Sequence, residues 1–339
     1  MDMMLCYEKF SLGSTNSPRS IQTRFARRLN FRLPTGDGVF GEYIIILCLV
    51  SLFLLEGCVH FPKTESVKII FPENQIPYFD YPVYRGQNPP IKGEYFQSRN
   101  KNFAPAIIVL PILKGGEILT RHIGKTLSEN NFNAFTLQWE ESLLPQEMKE
   151  IKSEEDLKKA AVKIKTIAVS RIIKIRQLID WISAKPEVDK NRLGIAGVSL
   201  GGITASLILE IDPRVKTGVV LLAGGDIGHL LAYSKEKGII KVREKILSSL
   251  NWNQEKLKSF LNPILAPADP INYPNQASAE KILMINGLYD EVIPDHSQIS
   301  LWSSLGNPEQ YFILSGHYSA LLWLPWADYK IVHHFQKNF

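Results

Sequence analysis

Residues 192–211 read R-L-G-I-A-G-V-S-L-G-G-I-T-A-S-L-I-L-E-I, and this stretch decides the fold. Arg192 to Ala196 has the short apolar run of a buried strand, and Leu200 to Leu209 the longer apolar run of a helix. Between them stands Gly197-Val198-Ser199-Leu200-Gly201-Gly202. A G-x-S-x-G run alone occurs by chance. Between a strand and a helix it acquires a mechanical meaning, because the chain must reverse within a few residues. The turn strains the backbone at Ser199, and Gly197 and Gly201 omit the β-carbons that would block it. The serine oxygen is thereby raised above the sheet at the start of the helix. A plain glycine-rich β–α turn is the bland alternative.

Outward from this stretch the chain alternates. Ser66 to Phe71, Tyr81 to Arg85 and Gly93 to Ser98 read as short strands broken by Pro, Asn and Gly. Ala106 to Leu110 is a continuous apolar strand, Glu117 to Ser128 a helix, and Phe132 to Trp139 a strand. Ser153 to Ala184 reads as a long helix, with Ser153 as its cap and isoleucines at spacings of three and four. Strands follow at Gly218 to Leu222, Ile282 to Ile285 and Tyr311 to Leu314, with a helix from Ser297 to Leu305. Such alternation predicts an α/β fold, a mostly parallel central sheet with helices on both faces. Asp226 to Pro263 interrupts the rhythm between two strands, with apolar residues at helical spacing.

Two further motifs fall at strand ends. Gly287-Leu288-Tyr289-Asp290-Glu291-Val292-Ile293-Pro294 follows the apolar strand I-L-M-I, and Ser315-Gly316-His317 follows the last strand. Ser199, Asp290 and His317 thus occur in the order nucleophile, acid, base, each just past the C-terminal end of a strand, where the loops of an open α/β sheet converge. Asp295 competes with Asp290 but falls at the start of the next helix, where a cap role suits it.

Through G-V-S-L-G-G, G-L-Y-D-E-V-I-P and G-H, the chain from about Val67 to its C-terminus resembles the α/β-hydrolase superfamily, nearest its dienelactone-hydrolase-like and esterase branches. The resemblance implies Ser199 as nucleophile, His317 as base and Asp290 as the acid that orients the imidazole. It implies an oxyanion hole from the Leu200 N–H and a second donor after the Ala106 to Leu110 strand, where Leu113 is the choice by position. Pro111-Ile112 stands there in place of the relatives' His-Gly. It also implies that 226–263 forms a small helical cap over the site. The expected reaction is hydrolysis of an ester or thioester through an acyl-serine, without a cofactor. An acyltransferase using the same triad and a catalytically inactive envelope binding protein are the alternatives.

Lys114 reads as a solvated loop lysine, with reach to an anionic substrate as the other reading, and Trp139-Glu140-Glu141 as a solvated edge loop, with lining of the pocket as the other reading. His122, His229, His333 and His334 have no Asp, Glu or His partner at metal-ligand spacing, so no metal is expected.

From Tyr43 to Leu55 run thirteen residues without charge. This is short for a bilayer-spanning helix, which needs about 20, and suits the hydrophobic region of a signal peptide. Leu55-Glu56-Gly57-Cys58 follows and resembles the lipobox of bacterial lipoproteins, although Glu56 is unusual there. The residues ahead of Tyr43 are too many for an ordinary leader, which points to a translation start nearer Val39. The organisation expected is a leader over 1–58, lipid attachment at Cys58, and a hydrolase body over 59–339 at a bacterial cell envelope. An uncleaved anchor helix is the other reading of the apolar run.

Composition sets the outer bounds. At 339 residues, 45% hydrophobic and 22% charged, the chain is neither disordered nor collagen-like. Its net charge of +5 comes from dispersed residues and forms no basic stripe, so nucleic acid is not expected. All three cysteines lie within the first 58 residues, so the body has neither internal disulfides nor thiolate chemistry. A small-molecule acyl ester or thioester, and a membrane through the lipid anchor, are the expected partners.

Overall fold

The computed structural model describes residues 68–69, 91–100, 103–113, 117–139, 142–144, 146–273 and 277–339. The apolar run from Tyr43, Cys58, the Tyr81 to Arg85 stretch, Lys114 to Gly116 and the Glu140-Glu141 pair lie outside these.

The described elements, in chain order, are β1 (Lys68–Ile69), β2 (Ile91–Phe96), β3 (Ala104–Leu110), α1 (Glu117–Glu129), β4 (Asn133–Gln138), α2 (Glu154–Ser183) and β5 (Val188–Val198). There follow α3 (Leu200–Ile211), β6 (Val215–Leu221), α4 (Ile227–Tyr233), α5 (Lys237–Leu250), α6 (Gln254–Leu265), β7 (Ile282–Gly287), α7 (Asp295–Ser304), β8 (Glu309–Ile313) and α8 (Leu324–Asn338). The strands form a single sheet in the order β1-β2-β4-β3-β5-β6-β7-β8. β2 runs antiparallel to both its neighbours, and every pairing from β4 across to β8 is parallel.

The central strands are buried along their length, β3 at every position, because helices cover both faces. On one face Ile172, Ile175, Leu178, Ile179 and Ile182 of α2 pack with α3 and with Leu301 of α7. On the other, Ile123 and Leu127 of α1 pack with Ile331, Val332 and Phe335 of α8. Helix α3 is buried from Gly201 to Glu210, and this accounts for its lack of a polar stripe.

Helix α2 is 30 residues long, about 45 Å, and serves two cores. It starts where expected, with the Ser153 side chain accepting the Asp156 N–H at 3.1 Å. Its C-terminal half packs on the sheet. Its N-terminal half, from Leu157 to Ile164, packs instead against Ile246, Leu257, Leu261 and Leu265 of the insertion, with Met148 and Ile151. The stretch expected as an insertion does carry helices α4, α5 and α6 between β6 and β7. Their apolar faces share this third core with α2.

Three details differ from the sequence expectation. Strand β5 starts at Val188, before Arg192. Helix α7 begins on Asp295 itself, and its cap position is Pro294, so Asp295 lies in the first turn instead of capping it. Helix α8 had no counterpart in the sequence reading. It packs its Phe335 ring against the backbone of Gly194, where a β-carbon would lie 2.7 Å from the ring. Among the described residues, no helix is long and apolar enough to cross a membrane.

Candidate active site

Ser199 follows β5 without a spacer and stands at the cap position of α3 with φ 55° and ψ −118°. A positive φ is costly for a residue with a β-carbon, and the surrounding contacts hold it there. The Ser199 N–H donates to the Leu221 carbonyl at 2.8 Å, and its carbonyl accepts from the Ile203 N–H at 3.0 Å. The two glycines act as the sequence predicts. A β-carbon on Gly197 would lie 2.1 Å from the Gly201 carbonyl oxygen, and one on Gly201 would lie 2.4 Å from the Leu110 carbonyl oxygen. The Ser199 turn is thus pressed onto the end of β3.

Asp290 and His317 come from the loops after β7 and β8. These loops are tied to each other, since the Tyr289 N–H donates to the Ser315 carbonyl at 3.0 Å. The His317 imidazole spans the other two side chains. Its Nδ1 lies 2.7 Å from Asp290 Oδ2 and its Nε2 lies 3.1 Å from Ser199 Oγ. The second carboxylate oxygen, Oδ1, accepts the N–H groups of Val292 and Ile293, both at 2.9 Å. Asp290 is buried, so these partners replace its water and fix its orientation. The fold thus brings together, in one chain of hydrogen bonds, three side chains from positions up to 118 residues apart.

Leu200 is the first residue of α3, so its N–H belongs to the helix-start donors without an intrahelical acceptor. Leu113 lies in the loop that leaves β3 next to the Ser199 turn. Trp139, expected at the edge or lining the pocket, anchors that loop. Its Nε1–H donates to the Pro111 carbonyl at 3.1 Å, and the Arg171 guanidinium covers its ring at 4.5 Å. No local sequence signal links Trp139 to Pro111, because the contact joins the ends of two neighbouring strands.

The insertion touches the same loops. Lys235, between α4 and α5, donates its N–H to the Glu291 carbonyl at 2.8 Å, and its ammonium pairs with the Glu291 carboxylate. The α4 start is held from below by Asp269, which accepts the Ile227 N–H at 2.6 Å and the Ile271 N–H. Burial pushes the Asp269 carboxyl up to about 6, against the pull of those hydrogen bonds.

The histidines divide. His333 stacks on Tyr329, and His122 faces Asp328 at 2.6 Å. His334 is buried between Thr217 and the Lys281 carbonyl, and burial pushes its imidazole down to about 4. Spacing in the sequence shows no acidic or histidine partner for His122 or His229, yet the fold brings Asp328 to the first and Asp226 and His296 to the second. Asp226, His229 and His296 place one ligand atom each within 4.8 Å of one another. His296 reaches the group from α7, so sequence spacing does not show it.

With this architecture and site in place, the chain has the α/β-hydrolase fold. It is similar to the acetyl xylan esterase from Paenibacillus sp. R4, with a TM-score of 0.54 at 14% identity over 74% of this chain and 80% of that one. A candidate dipeptidyl aminopeptidase IV from Bacteroides ovatus has a TM-score of 0.51 at 14% identity, and there the likeness covers 74% of this chain and 34% of the longer protein. An esterase from Pyrococcus furiosus gives 0.49 at 14% identity over 81% and 91%. No family model and no curated protein matches the chain.

Proposed function

We propose that the chain is a serine hydrolase that cleaves a carboxylic ester or thioester through an acyl-serine intermediate. The observation that carries this reading is the unbroken line Ser199–His317–Asp290, at 3.1 and 2.7 Å, on a strained strand-to-helix turn. The same fold serves ester chemistry in the Paenibacillus esterase.

In this reading His317 Nε2 takes the Ser199 proton as the oxygen attacks the substrate carbonyl. Asp290 Oδ2 holds Nδ1–H and stabilises the imidazolium that forms. The tetrahedral oxyanion is met by the N–H groups of Leu200 and Leu113, an arrangement in which one donor is worth about 10²–10³ in rate. Collapse expels the alcohol or thiol, which takes the proton from His317. Water then attacks the acyl-serine with His317 again as base, releasing the acid and restoring Ser199. Helices α4–α6 act as the cap that shapes the acyl pocket.

The test is turnover of a short p-nitrophenyl ester and of the matching p-nitroanilide by the full chain, beside Ser199→Ala. Ester turnover that vanishes in the variant supports the reading, with the anilide cleaved far more slowly. A folded chain that turns over neither substrate contradicts it.

We place the enzyme at a bacterial envelope membrane through a lipid on Cys58, on the strength of the apolar run and the lipobox-like tetrapeptide. Cys58→Ser should move the chain from the membrane to the soluble fraction of cells. Unchanged membrane retention would favour an uncleaved anchor.

A further inference from the structure

We propose that Asp226, His229 and His296 form a binding site for a divalent transition metal ion of the Zn²⁺ class, separate from the triad. Asp226 is the cap residue of α4 and sits at φ 53°, a left-handed conformation that aspartate tolerates better than most residues. Its Oδ1 accepts the His229 N–H at 3.2 Å, which leaves Oδ2 turned toward α7. There His296 Nε2 lies 3.0 Å away. The His229 and His296 rings lie side by side, 4.2 Å between centroids.

Two observations favour an ion over a mere hydrogen-bonded pair. The three donor atoms converge within 4.8 Å. Around a tetrahedral zinc, with bonds of about 2.0–2.1 Å to nitrogen and oxygen, donor atoms lie about 3.3 Å apart, so side-chain rotation has to draw the set closer. Second, His229 Nδ1 is buried without a hydrogen-bond partner. A buried ring nitrogen left unpaired is costly, and a cation takes its lone pair directly. Two imidazoles and one carboxylate are the donor set of zinc, cobalt or nickel, and are a poor set for calcium or magnesium.

The surroundings fit. The Asn262 amide lies beside the Asp226 carboxylate and favours its charged form, the form that binds a metal. Lys258, the nearby cation, is paired with Glu255 at 3.7 Å, which offsets part of its charge. The His296 side chain is 54% exposed, which gives the ion a way in and leaves a position for water.

The ion would join the base of the insertion to the first turn of α7, six residues past Asp290. The Lys235–Glu291 contact already ties the insertion to that loop. Metal would thus fix the insertion against the segment that carries the acid.

The test uses the full chain, stripped with a chelator and dialysed. Titration with Zn²⁺ should show a single strong site and raise the unfolding temperature by about 5 °C at a hundredfold excess over the dissociation constant. Co²⁺ in its place should give the intense visible absorption of a tetrahedral ion. His296→Gln keeps a donor for Asp226 and removes the ligand, and His229→Gln removes the second. Each should weaken Zn²⁺ binding at least about a hundredfold. Equal affinity in the parent and either variant would overturn the three-ligand site, and so would a faint octahedral cobalt spectrum. Should a variant fail to fold, the cobalt spectrum of the parent chain decides alone.

Discussion

The Ser199–His317–Asp290 cluster and the insertion are neighbours held by different means. Ser199, Asp290 and His317 stand on turns that leave the parallel strands β5, β7 and β8, and backbone hydrogen bonds such as Ser199 to Leu221 and Tyr289 to Ser315 fix each turn. Helices α4 to α6 rest on side-chain packing, a small core shared with the first half of α2. Backbone pairing sets positions to fractions of an ångström, as proton transfer requires. Side-chain packing tolerates substitution and movement. The strand ends thus carry a cluster fixed by backbone bonds beside a region whose stability is local.

Substitutions can separate the two. Ser199→Ala should have the largest effect, a loss of about 10⁶ in kcat for ester hydrolysis with the unfolding temperature unchanged. Asp290→Asn keeps an oxygen for the Val292 and Ile293 N–H groups but presents the wrong partner to Nδ1. A loss of about 10⁴ is expected in kcat, again without unfolding.

Leu261→Ala, in the insertion core, should cost about 3 kcal/mol of local stability. Hydrogen exchange should show the loss in α4 to α6 and the first half of α2, with β5 to β8 still protected. Loss of protection across the whole sheet would break the distinction drawn above.

Acidity probes the two regions in opposite senses. The His334 imidazole, under the sheet, is pushed down to about 4. Its contribution is present above about pH 6.5 and lost as pH falls through 4, about 3 kcal/mol in all. The Asp269 carboxyl at the base of the insertion is pushed up to about 6. Its contribution is present below about pH 4 and lost as pH rises through 6, by a similar amount. His334→Gln should flatten the first dependence in global unfolding, and Asp269→Asn the second in exchange at α4. The smallest effect should come from Trp139→Phe. It removes one hydrogen bond to Pro111, worth about 1 kcal/mol, and a fivefold to tenfold fall in kcat would place the Leu113 loop in the reaction.

What the sequence made legible is what is local. The strand–glycine–serine–glycine–helix stretch carries its own constraint, because Gly197 and Gly201 are needed within the turn that they permit. Asp290 and His317 were readable because each follows a strand closely. The antiparallel direction of β2 and the presence of α8 were not readable, and the Phe335–Gly194 contact that seats α8 spans 141 positions of the chain. Helix α2 was readable as a helix, yet its 3.6-residue pattern gave no sign that its two halves serve different cores. The Trp139–Pro111 bond and the meeting of His229 with His296 share that difficulty, because both join side chains that only the finished fold brings together.

The most direct test of the central claim is the site of covalent labelling by a fluorophosphonate, read by peptide mass mapping on the full chain. One phosphonyl group should be found, on Ser199, formed far more slowly in His317→Ala and absent in Ser199→Ala. Labelling at another serine, or none in a chain shown to be folded, would contradict the account.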